Sequence, residues 1–158
     1  MLVGCTLSQK DDNLTAVNTS PANTANRATN TVKDNTEELR ALVNLPFDPE
    51  ETVWKEESLK DQTSDQIEKK LIAVLRLPAE QAKAFLTEVQ KRKQGETANM
   101  TTEQWFPAEL MAQSEISGDD LLNGESYSAD DILLPPYIHG RLVKIENSDY
   151  FILEASSK

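Results

Sequence analysis

Apolar residues recur at helical spacing in three parts of the chain. In "TEELRALVNLP" Leu39, Leu42 and Val43 share one face, Asn35 or Thr36 can cap the start ahead of Glu37 and Glu38, and Pro46 ends the run, which predicts a short helix. From Asp65 to Gly95 two stripes follow one another: Ile67, Leu71, Val74 and Leu75, then Ala82, Phe85, Leu86 and Val89, with Pro78 between them. Lys91, Arg92 and Lys93 occupy the last turn before Gly95, as the helix dipole favours, so the segment predicts an αα-hairpin. Pro107 suits the first turn of a third helix containing Leu110 and Met111.

The end of the chain has a different period. Residues 141–146 and 149–154 are rich in Leu, Val, Ile, Tyr and Phe, and "ENSD" supplies turn residues between them, which predicts a C-terminal β-hairpin. An isolated hairpin is marginal, so it needs packing helices or a third strand, from around Val53 and Trp54 or near Tyr127. Between the helical and hairpin regions, Gly118, Gly124, Pro135, Pro136 and Gly140 punctuate a loop-rich stretch. The expected class is α+β, with helices packed on a small antiparallel sheet.

Composition divides the chain into three. Residues 6–35 are rich in Thr, Asn, Ser and Ala and lack aromatics, so they cannot bury enough apolar surface to offset ordering, and a disordered tether is expected there. Its Lys10, Arg27 and Lys33 balance Asp11, Asp12 and Asp34, so the net charge of −11 falls on a single domain, 36–158. That charge opposes nucleic-acid binding, which needs clustered Lys and Arg, and it permits a basic protein partner. One cysteine and one histidine leave no disulfide framework and no Cys/His zinc set, and no cofactor or metal is expected.

The cysteine is placed informatively. Residues 1–5 read "MLVGC", and Leu2-Val3-Gly4-Cys5 resembles the lipobox of bacterial lipoproteins. The resemblance implies a diacylglycerol thioether on Cys5, cleavage after Gly4, acylation of the new amino group with a chain such as palmitate, and a signal peptide whose basic and apolar parts lie upstream of Met1. The membrane would then be a partner through the lipid, and the protein would sit at the cell envelope, in the periplasm of a host with two membranes. Thr6, where an aspartate would favour inner-membrane retention, leans toward the outer membrane.

Three aromatic residues are candidates for protein contact. Trp105-Phe106, adjacent just before a helix, form either an exposed anchor or a core plug, and Tyr137 lies in the Pro-rich "LPPYIHGR". His139 in the same segment has no nucleophile and base pattern around it. Asp119-Asp120 and Asp130-Asp131 lack the spacing of a calcium loop and suit N-caps and solvent. The leading expectation is a non-enzymatic, lipid-anchored interaction or assembly module of the bacterial envelope. The alternatives are a small envelope hydrolase drawing a carboxylate pair from Glu103, Glu109, Asp130 and Asp131, and a cytoplasmic acidic adaptor in which Cys5 is incidental.

Overall fold

A computed structural model describes residues 31–60, 66–114, 116–117 and 120–158. The lipobox-like segment, the tether up to Asn30, and Asp65 lie outside the described residues. The fold is α+β and mostly sheet. Among the described residues, six antiparallel strands are ordered β1-β2-β7-β6-β5-β3, where β1 is Glu51–Lys60, β2 Ile67–Arg76, β3 Glu96–Thr101, β5 Leu121–Ser128, β6 His139–Ile145 and β7 Tyr150–Ser156. A two-residue strand, β4 (Ile116–Ser117), also pairs with β5.

The expected αα-hairpin is not present: its first arm is β2, paired with β1 on one side and β7 on the other. The reason is burial on both faces. Leu71, Ala73 and Leu75 enter one core and Val74 enters the other, and all four are fully buried. A central strand with two covered faces reads as a continuous apolar run, and "LIAVL" offers residues at helical spacing by default. The second arm is the helix α2 (Ala79–Arg92), which begins directly after Pro78. It carries the chain over one face from β2 to β3 at the far edge.

The C-terminal hairpin is β6–β7, and its turn holds Asn147 at φ 54°, a left-handed conformation that Asn tolerates. Of the two regions expected to supply a third strand, the one near Tyr127 does so, as β5 beside β6, whereas Val53 and Trp54 lie in β1, which pairs with β2, and it is β2 that adjoins β7. β3 has no counterpart in the periodicity: "ETANMT" buries only Ala98 and Met100, residues with little strand preference.

Two cores sandwich the sheet. On one face Leu71, Leu75, Leu142, Phe151 and Leu153 pack against α2, the helix α1 (Thr36–Arg40) and the loop that follows β5. Asn35 caps α1, its side-chain oxygen accepting from the Glu37 and Glu38 amides at 2.9 and 3.3 Å. Lys33 already belongs to the fold, exchanging backbone hydrogen bonds of 2.7 and 2.8 Å with Trp54 at the outer edge of β1. On the other face Val74, Val143, Ile145, Tyr150 and Ile152 are covered by Phe106 and by Leu110 of the helix α3 (Ala108–Gln113).

Candidate functional site

α2 is seated firmly on the sheet only through its first half. Ala82 is buried and Phe85 meets Phe47 and Phe151 edge-on, with ring centroids 5.0 and 6.0 Å apart. Toward its C-terminal half the helix stands away from β5 and β6, and Val89 is only half-buried. The gap is a trough of about 840 Å³. Its apolar lining comes from Phe85 and Val89 of α2, Leu142 of β6, the Tyr127 ring of β5, and Ala129 and Ile132 of the loop after β5. Both size and lining fall in the range of small-molecule sites, about 300–1,000 Å³ with mainly apolar walls and few polar groups.

The polar group placed for orientation is Tyr127. Its hydroxyl donates to Glu125 at 2.6 Å and accepts from Gln90 of α2 at 3.3 Å, so it joins helix to sheet at the trough. Burial, reinforced by the Glu125 hydrogen bond, raises its pKa above the ordinary tyrosine value. Gly95 permits this placement, because a Cβ there would stand 2.8 Å from the Tyr127 ring. The 3-10 turn Asp130–Ile132 supplies the far wall and is tied to α2 by Arg92 and Asp131, 2.8 Å apart.

The three aromatic candidates for contact are not brought together. Phe106 is buried, and Trp105 is half-buried beside it, with ring centroids 4.8 Å apart and the indole donating to Glu103 at 2.5 Å. Tyr137 is buried in the core on the opposite face. Its hydroxyl lies near the Glu56 carboxylate without a direct hydrogen bond, and burial, with Glu56 adding to it, drives its pKa far up. Of the three, Trp105 alone offers partial surface. Cys5 lies outside the described residues.

The four carboxylates also remain apart. Glu109 on α3 pairs with Arg76 at 3.1 Å, and Glu103 receives the Trp105 indole with Lys55 at 3.9 Å. Asp130 accepts from the Gly140 amide at 2.8 Å and Asp131 pairs with Arg92, both on the α2 side of the sheet. His139 is exposed at the start of β6. Among the described residues no group of three or more His, Cys, Asp or Glu is placed to hold a metal, and no helix is long and apolar enough to cross a membrane.

In the sequence the trough residues read as core: Phe85 and Val89 belong to the second stripe, and Tyr127 marks a source of a strand. No local signal separates them from core, because the charges at that helix end, Glu88, Lys91, Arg92 and Lys93, are what solvation and the helix dipole favour at any exposed helix C-terminus. Fold and site together define an α+β domain built on an antiparallel sheet with an open apolar trough under one helix. Compared with known proteins, the chain matches no family model, no curated sequence and no solved structure.

Proposed function

We propose that this protein is a lipid-anchored component of a bacterial cell envelope that works by binding, as an interaction or assembly module, and not by catalysis. The observation that carries the reading is Leu2-Val3-Gly4-Cys5 set directly ahead of a polar, aromatic-free segment that precedes the described domain. Cys5 holds the lipid, the intervening residues tether the domain, and the domain presents its surfaces at a distance from the bilayer. The outer membrane is the favoured location in a host that has one.

The binding role draws support from the trough, a concave apolar surface with few polar groups, and from the half-buried Trp105 on the other face. The acidic domain suits a basic partner surface. The test is fractionation of cells that express the protein from its own locus. The wild type partitions with membranes and resists a carbonate wash, while Cys5→Ser appears in the aqueous fraction with its fold intact. Equal partitioning of the two proteins would overturn the anchor.

A further inference from the structure

Charge around the trough is self-cancelling. Seven charged residues line it: Asp48, Glu88, Arg92, Lys93, Glu96, Asp131 and Arg141. Each already has a partner of opposite sign. Arg92 pairs with Asp131 at 2.8 Å and Lys93 with Glu96 at 2.8 Å, both within the rim. Glu88 pairs with Lys91 at 2.6 Å, Arg141 with Glu154 at 2.5 Å, and Asp48 with Arg40. The rim pairs Glu88–Lys91, Arg92–Asp131 and Lys93–Glu96 are exposed and each is worth little, so what opposes an ionised ligand is the apolar wall below them, where its charge would have no counter-charge.

The neutral polar groups of the lining are Gln81, Gln94, Ser126, Ser128 and Tyr127, and the Glu125 carboxylate nearby accepts the hydrogen bond of the Tyr127 hydroxyl. That oxygen donates once and accepts once, and its second lone pair can accept from a ligand. The volume suits a small molecule, whereas a partner helix, about 10 Å across with its side chains, would have to lift α2 away from Phe47 and Phe151. We infer that the trough beneath α2 is a binding site for an uncharged, largely apolar small molecule that donates one hydrogen bond to Tyr127. The inference concerns the folded domain and stands whether or not Cys5 carries a lipid.

The test uses the purified full chain and two fluorescent probes with closely related ring systems. N-phenyl-1-naphthylamine is uncharged and has a single N–H donor, and 8-anilinonaphthalene-1-sulfonate adds an anionic group. The neutral probe is expected to bind saturably, one molecule per chain, and the sulfonate at least tenfold more weakly. Ala84→Trp and Val89→Trp fill the trough from exposed and half-buried positions of α2, and each should weaken the neutral probe at least tenfold while circular dichroism and the melting temperature stay near wild type. Tyr127→Phe should weaken it on the order of threefold to tenfold, the worth of one hydrogen bond. Trp105→Ala, on the opposite face, should leave it unchanged. No saturable binding of the neutral probe, or unchanged affinity in a folded filled variant, would overturn the site; equal affinity for the two probes would overturn the assignment of an uncharged ligand.

Discussion

Alkaline pH should unfold this domain through its tyrosines. The chain has three, Tyr127, Tyr137 and Tyr150, and all are buried. The Tyr150 hydroxyl donates to Glu51 at 2.6 Å, and burial first and that carboxylate second push its pKa far above 10. Tyr137 is raised by burial and by Glu56, and Tyr127 by burial and by Glu125. In the unfolded chain each phenol ionises near 10. A folded-state pKa above the unfolded value means that the contribution is complete below about pH 10 and is lost as pH rises beyond it. At pH 11 the unfolded state gains about 1.4 kcal/mol per phenol that the folded state keeps protonated, so Tyr137 and Tyr150 alone remove about 3 kcal/mol. That is a large share of the roughly 5–15 kcal/mol that holds an ordinary domain together. The assay follows phenolate absorbance and far-ultraviolet circular dichroism together from about pH 9 upward. The expected result is little phenolate formation while the dichroism is native, then one cooperative step in both signals. Phenols that titrate independently near pH 10 in a protein with native dichroism would refute the reasoning.

Other substitutions test the packing. Gly124→Ala should destabilise by about 3 kcal/mol in urea unfolding, because its Cβ would stand 2.4 Å from the Lys144 carbonyl oxygen in the neighbouring strand. Phe106→Ala removes a buried ring from the α3 side and should cost about 3–5 kcal/mol, whereas Trp105→Ala next to it should leave a folded domain with a loss nearer 1 kcal/mol. Asn35→Ala deletes the cap of α1 and should cost about 1 kcal/mol, with Asn35→Asp recovering most of it.

The elements that could be read from the sequence are those with one covered face or strong punctuation. α1 has an Asn cap and acidic first turn, α2 lies between Pro78 and a basic final turn, and β6–β7 flank a turn with a left-handed Asn. The elements that could not be read are those whose pattern is set by tertiary surroundings. β2 is covered on both faces, which erases the alternation a strand would otherwise display, and β3 is an edge strand whose inward residues are Ala98 and Met100. The trough was hidden for a related reason. An apolar stripe on a helix is the same in sequence whether a sheet packs against it along its whole length or only along its first half, and the lift of α2 from β5 and β6 is a property of the assembled fold.

The measurement that bears most directly on the whole account is metabolic labelling with a palmitate analogue of the protein expressed from its own locus, with Cys5→Ser beside it. Label on the wild type and none on Cys5→Ser is the expected result and places the domain at a membrane surface. No label on either protein, or equal label on both, would contradict the lipid anchor and leave an acidic domain whose cysteine is incidental.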